Sequence, residues 1–203
     1  IIISKWSSFT IPLATGVTGD FGAVEINTTG GWNQSGLFAP SRIKGTLTIN
    51  AGTLTMDNGT GMTTALTLQD VVINGTGRFI AQSGAHRNLT LVTGNFTDNS
   101  ASTGYSYIMN RSVGDLIWNV NGNLAINHRF MMVEGLTTTD VGSATVDVSG
   151  NFTVGGGTLF GVRNATGAIT MTVDGTTTFS GTPALIALKD NFAGDVTFNS
   201  GNM

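Results

Sequence analysis

A two-residue Gly-Asn corner recurs through the second half of the chain at a nearly constant interval. Successive corners are about 25 to 28 residues apart, and this period is typical of solenoids, in which each repeat forms one unit of a stack. The series consists of Gly94-Asn95, Gly122-Asn123, Gly150-Asn151, the variant Gly175-Thr176, and Gly201-Asn202. Because every unit must turn at the same point, this repeat constrains the fold more than any other sequence feature.

Each interval contains three short segments with the pattern of β-strands. In the clearest one, Ala144, Val146 and Val148 alternate with Thr145 and Asp147, which is the period of a half-buried strand. The same patterning predicts strands at Leu116–Val120, 169–173 and 196–198 before the Gly-Asn corner, at Leu124–Ile126 and Phe152–Val154 after it, and at 105–109, 130–133, 159–162 and 185–188 later in the unit.

Composition excludes the helical alternatives. Only 10% of residues are charged, against about 25% in typical globular domains, so the Lys, Arg and Glu of exposed helix surfaces are scarce. The 29 glycines interrupt every candidate helix. The sequence therefore predicts an all-β, right-handed parallel β-helix with three short strands per coil and coils of about 20–28 residues.

Asparagine at the corners has a physical reason. It tolerates the left-handed backbone conformation, and its amide can bond its own backbone or an identical residue one coil away. We therefore expect Asn95, Asn123, Asn151 and Asn202 to stack as a ladder that Thr176 interrupts.

Two regions differ in regularity. Residues 1–44 include Trp6 and Trp32 and show no clear repeat, so we predict an N-terminal cap and irregular first coils there. Residues 45–203 are predicted to be parallel β-helix coils, with Ile73-Asn74-Gly75 as an early corner. The chain stops just after a Gly-Asn corner, so we expect the coils to continue beyond residue 203.

No pattern of catalytic, cofactor-binding or metal-binding residues is present. A carboxylate site on a solenoid needs acids at one offset in adjacent coils, whereas Asp98, Asp140 and Asp147 fall at different offsets from the corners and are expected to be solvated. His86 and His128 lie on different coils, and the chain has no cysteine, so three convergent metal ligands are not expected. The sequence predicts a non-enzymatic protein without a cofactor.

One charged column keeps its register after the third strand of each unit. Glu134, Arg163 and Lys189 occupy this position, with Arg111 close to it. We expect a solvated column that helps to set register, because exposed ion pairs contribute only about 0–1 kcal/mol. A contact between these basic residues and an acidic glycan is the alternative.

The aromatic residues of the third strands are a further candidate for sugar contact, by stacking. The sequence favours core positions for them instead. They are Tyr105, Tyr107, Phe130 and Phe160.

The Gly/Thr/Asn-rich unit at residues 144–162, ATVDVSGNFTVGGGTLFGV, resembles the repetitive β-helix regions of large exported bacterial surface proteins. These include adhesins and the type IX-secreted surface proteins of gliding Bacteroidota. The resemblance implies an extracellular or cell-surface location and a stiff structural or adhesive rod that displays binding elements. It also implies surface polysaccharide or other surface proteins, and the export machinery, as partners.

The alternative is a carbohydrate-active or carbohydrate-binding β-helix whose active residues lie elsewhere. Other classes of partner are disfavoured. The net charge of −3 with scattered basic residues argues against nucleic-acid binding, and apolar runs of three to five residues are too short for a membrane-spanning helix.

Overall fold

The structure is a computed structural model that describes residues 2–4, 21–33, 43–57, 65–84, 88–110, 114–135, 142–155, 160–163, 167–180 and 195–202. These residues form sixteen β-strands and no helix. The strands are β1 (Ile2–Ser4), β2 (Val24–Asn33), β3 (Leu47–Asp57), β4 (Ala65–Thr67), β5 (Val71–Ser83), β6 (Leu89–Thr93), β7 (Phe96–Asp98), β8 (Ser106–Asn110), β9 (Leu116–Val120), β10 (Leu124–Ile126), β11 (Phe130–Glu134), β12 (Ala144–Val148), β13 (Phe152–Val154), β14 (Phe160–Arg163), β15 (Ile169–Phe179) and β16 (Val196–Asn202).

The strands stack in parallel and in register along three faces. The first stack runs β1, β2, β3, β5, β7, β10, β13 and β15, and the second runs β4, β6, β9, β12, β15 and β16. The third runs β2, β3, β5, β8, β11 and β14. The long strands β2, β3, β5 and β15 pass through a corner and contribute to two stacks each.

This arrangement is a parallel β-solenoid of about five turns, which confirms the predicted fold class. The turns with three strands begin at β4, and β9, β10, β12 and β13 have the bounds predicted from the sequence. The predicted strand at 185–188 lies outside the described residues.

Two predicted corners lie inside continuous strands. β5 runs through Ile73-Asn74-Gly75, and β15 runs through Gly175. Gly75 has a φ of 52°, a left-handed conformation that glycine adopts without steric cost. The chain bends there while its backbone hydrogen bonds continue: the Gly75 carbonyl accepts from the Ala101 amide at 2.6 Å.

Alternate side chains of β6, β9, β10, β12 and β13 point into one continuous core. Trp118 is fully buried, and its ring packs against Phe96 and Phe130 with centroids 5.1 and 5.8 Å apart. Its indole nitrogen donates to Thr93 Oγ1 at 3.2 Å, which satisfies the ring's polar atom. Burying a large apolar side chain stabilises the fold by about 1.5–3 kcal/mol.

The parallel stack extends upstream of residue 45. β1 pairs with β2 through Ile3 and Ile26, and β2 pairs with β3 through Val24 and Leu47. Most of the predicted cap at residues 1–44, Trp6 included, lies outside the described residues.

Candidate functional site

The Gly-Asn corners join successive coils through the asparagine side chains. Asn95 Oδ1 accepts from the Asn123 backbone amide at 2.9 Å, and Asn123 Oδ1 accepts from the Asn151 amide at 2.8 Å. Asn151 Oδ1 then accepts from the Thr176 amide at 2.9 Å. At the other end, Asp70 Oδ1 accepts from both Asn95 nitrogens, at 2.7 Å for the backbone and 3.1 Å for Nδ2. We call this series, from Asp70 to Thr176, the corner ladder.

The corner ladder differs from a stack of amides. Each step joins a side-chain oxygen to a backbone amide, so Thr176 takes part through its backbone nitrogen. Asn202 lies in register with Thr176 at the next coil. Asp70 has no place in the Gly-Asn repeat and was not predicted as a corner residue. It lies directly before β5, as each asparagine of the corner ladder lies directly before a strand, and its carboxylate supplies the same acceptor.

Close approach of the preceding coil explains the glycine of each Gly-Asn corner. A Cβ at Gly122 would lie 2.5 Å from Asn95 Oδ1, and a Cβ at Gly150 would lie 2.5 Å from Asn123 Oδ1. The five glycines of this series, from Gly94 to Gly201, have no left-handed φ, so they are needed for close approach rather than for an unusual backbone conformation. The remaining corner glycines are equally crowded: Gly94 by Asp70 Oδ1, Gly175 by the Gly150 oxygen and Asn151 Oδ1, and Gly201 by the Asp174 oxygen, all at 2.5–2.6 Å.

A second series of side-chain bonds joins the coils at another corner. Asn88 Oδ1 accepts from the Asp115 amide at 2.9 Å. Asp115 Oδ1 accepts in turn from the amide and the hydroxyl of Ser143, at 2.9 and 2.8 Å. A bond of this type contributes about 0.5–1.5 kcal/mol. Repeated side-chain bonds therefore fix the register of neighbouring coils at two separate corners.

The predicted charged column is only partly described. Glu134 and Arg163 are register partners on β11 and β14, and Asn110 and Ser83 occupy the same position on the two preceding coils. Asn110 Nδ2 donates to Ser83 Oγ at 3.4 Å. Arg111 and Lys189 lie outside the described residues.

Asp98 is buried, which contradicts the expectation of a solvated aspartate. Its register partners on the neighbouring coils are the core residues Ile73 and Ile126. Oδ1 accepts from the Ser100 amide at 2.9 Å, while Oδ2 has no hydrogen-bond partner among the described residues. Burial raises the pKa of the Asp98 carboxyl, and hydrogen bonds with Ser100, a hydrogen bond with Ser106 and the charge of His128 act in the opposite direction.

Two arginines flank a tyrosine on the outside of the third stack. Arg78 Nε donates to the Tyr105 carbonyl at 2.9 Å, and the Arg129 guanidinium lies 5.8 Å from the centre of the Tyr105 ring. We call these three residues the Arg-Tyr-Arg cluster.

Two of the third-strand aromatics are core residues, as predicted. Phe130 lies in the main core, and Tyr107 is buried with Ile80 and Met131 in a second, smaller core cluster. Tyr105 is only half-buried at the border of that second cluster, so the core prediction was wrong for Tyr105. The side chain of Phe160 lies outside what the structure describes.

Clusters of metal ligands and membrane-spanning helices are absent from the described residues. Within the described ranges, no three His, Asp or Glu side chains are placed to bind one metal ion. None of the described segments is a helix of the length and apolar character needed to cross a bilayer. No family model, curated protein or solved structure matches this chain.

Proposed function

We propose that this chain is a structural segment of an extracellular bacterial surface protein, a stiff rod that carries or displays binding elements and performs no catalysis. The observation that supports this most is the corner ladder, which links successive coils from Asp70 to Thr176. A rod that transmits force along its axis needs neighbouring coils to be joined, and side-chain bonds at the corners add to the strand pairing between them.

The origin in an adhesin or a type IX-secreted protein rests on the resemblance of the Gly/Thr/Asn-rich unit at residues 144–162. The exterior agrees with a surface role. Thr145, Thr170 and Thr197 are outward-facing register partners on β12, β15 and β16, so the second stack presents hydroxyls with few ionic groups.

Single-molecule stretching tests the mechanical role. Cysteines introduced by Gly22→Cys and Asn199→Cys give two unique attachment points, because the chain has no cysteine, Gly22 has open space around it and Asn199 is exposed. We expect coils to detach in steps of about 80–100 Å, the length of one extended coil of 25–28 residues. Smooth extension at low force would contradict a mechanical role.

A matched pair of variants tests the corner ladder in the same assay. Asn123→Ala removes the acceptor for the Asn151 amide and should lower the force of one step, with a loss of about 1 kcal/mol in unfolding free energy. Asn119→Ala, on β9, removes a side-chain carboxamide that makes no hydrogen bond with the described residues. This variant should leave the force of each extension step unchanged. Equal effects of the two substitutions would contradict the proposed role of the ladder.

The carbohydrate-active alternative predicts turnover. Incubating the protein with uronate polymers and measuring the release of reducing or unsaturated ends distinguishes the two functions. We expect no release, and a rate that scales with protein concentration would overturn the non-catalytic assignment.

A further inference from the structure

The Arg-Tyr-Arg cluster spans three consecutive coils on one face of the third stack. Tyr107 pairs with Ile80, so Tyr105, two residues earlier, lies beside Arg78. Phe130 pairs with Ser106, so Arg129 lies beside Tyr105 on the other side. The two arginines are therefore two coil spacings apart, about 9.6 Å along the axis.

The arginine of the first coil is held in place. Arg78 is half-buried, its Nε donates to the Tyr105 carbonyl, and its guanidinium carbon lies only 2.7 Å from the position that a Cβ of Gly104 would occupy. Because Gly104 has no side chain, the guanidinium can lie against the backbone of the next coil. Among the described residues, its other guanidinium N–H groups have no hydrogen-bond partner.

The arginine of the third coil is more accessible. Arg129 is exposed, Tyr105 is half-buried, and the guanidinium lies over the tyrosine ring. A cation above an aromatic face is attracted by the ring's quadrupole, which favours this position of the side chain. Among the described residues, neither guanidinium forms an ion pair with a carboxylate.

We propose that the Arg-Tyr-Arg cluster binds a carboxylate-bearing polysaccharide, a proposal that rests on the function of the rod as a surface-display segment. Guanidinium groups bind carboxylates through paired charge-assisted hydrogen bonds, and the tyrosine offers an apolar ring with a polar hydroxyl. The order charge, ring, charge along the axis suits a polyuronate, because each sugar ring along its extended chain carries a carboxylate.

Polygalacturonate and its fully methyl-esterified form are the matched probes, since they share a backbone and differ in charge. Binding is measured by calorimetry at low salt with the wild type, Arg129→Gln, Arg78→Lys and the control Lys44→Gln, which removes one exposed positive charge upstream of β3. We expect binding of the charged polymer only and about tenfold weaker binding for Arg129→Gln. Arg78→Lys keeps the charge but loses the paired geometry and should also weaken binding, whereas Lys44→Gln should bind like the wild type.

Several results would overturn the site. These are no binding by the wild type, equal binding of the esterified polymer, an equal loss with Lys44→Gln, and equal binding of polyglutamate, which would show that charge alone is recognised. Thermal unfolding of each variant identifies any loss of binding that comes from misfolding, and Arg129→Gln alters an exposed side chain that the fold does not need.

The binding and stretching experiments distinguish failure of this site from failure of the proposed function. If the protein does not bind the polymer but still extends in steps, the binding site is rejected and the structural role of the rod is retained. If it binds the polymer but extends smoothly, the structural role is rejected.

Discussion

At the scale of single residues, the corner glycines and asparagines form steric pairs between coils. The asparagine of one coil places its side-chain oxygen where the glycine of the next coil would carry a Cβ. The recurrence of Gly-Asn therefore reflects two requirements of one contact: an acceptor on one coil and an empty space on the next. In the sequence the glycine and the asparagine of one corner are adjacent, but in the structure each asparagine contacts the glycine of the following coil.

A double-mutant cycle tests this pairing. Gly122→Ala should lower the unfolding free energy by about 1–3 kcal/mol, the usual cost of overpacking, because the new methyl would collide with the Asn95 side chain. In an Asn95→Ala background the same substitution should cost clearly less, and urea unfolding measures both differences.

The control for this cycle is Gly167→Ala. There the added Cβ would lie 2.4 Å from the Gly142 carbonyl oxygen, so the obstacle is backbone. Its cost should be the same with and without Asn95→Ala. Additive effects of Gly122→Ala and Asn95→Ala would show that the two residues do not form a pair.

Asp98 gives a prediction for pH dependence. Because burial raises its pKa above the ordinary 3.8, the folded state holds this proton more tightly than the unfolded state does. The contribution of Asp98 to stability is then fully present below the ordinary value and is lost as pH rises through the folded-state pKa.

The variant Asp98→Asn carries no such proton. As pH rises above 3.8, the wild type loses the contribution of this proton and the variant does not. The unfolding free energy of the variant minus that of the wild type should therefore increase over this range, and chemical unfolding at each pH measures the difference. Parallel stability curves for the two proteins would show that the burial of this carboxyl has no energetic consequence.

At the scale of strands, the sequence predicted the second half of the chain well. Alternating side chains and regular corners gave the exact bounds of β9, β10, β12 and β13. The sequence predicted a corner at Ile73-Asn74-Gly75, and the chain bends there at Gly75. β5 continues through this bend, which periodicity could not show, because a glycine with positive φ can turn a strand without ending its pairing.

The positions of single side chains on the strands were predicted less well. Asp98 follows Asn95 by three residues, as Ile126 follows Asn123, so this offset already marked a core position. The Arg-Tyr-Arg cluster had no such signal, because Tyr105 lies ten residues after Asn95 whereas Arg129 lies six after Asn123. Because the coils differ in length after the Gly-Asn corner, equal offsets from the corner do not identify the residues that lie side by side there.

The two faces of β9 should respond differently to truncation. Trp118→Ala empties a fully buried position between Phe96 and Phe130 and should lower the unfolding free energy by about 3–5 kcal/mol. Ile117→Ala, at an outward position that is 46% exposed, should cost far less. Similar losses, measured by denaturant unfolding, would mean that the strand faces are assigned the wrong way round.

At the scale of the whole molecule, the described strands form one stack in which neighbouring coils are held in register by strand pairing, core packing and corner bonds. These contacts can specify one register between coils even in a chain with few charges, because the donors, acceptors and vacant positions of each coil match those of the next. The low charge and abundant glycine of the sequence are thus consequences of the contacts between coils.

Spin labels on paired cysteines test this register most directly. Thr145 and Thr170 are register partners on adjacent strands of the second stack, and Thr197 is the partner of Thr170 one coil further on. Backbone spacings of about 4.8 Å for Thr145 with Thr170 and about 9.6 Å for Thr145 with Thr197 follow from parallel stacking. We predict strong spin–spin broadening of the electron paramagnetic resonance spectrum for labels at 145 and 170, and weaker broadening for labels at 145 and 197. Absent broadening at 145 and 170, or identical spectra for the two pairs, would contradict an in-register parallel solenoid.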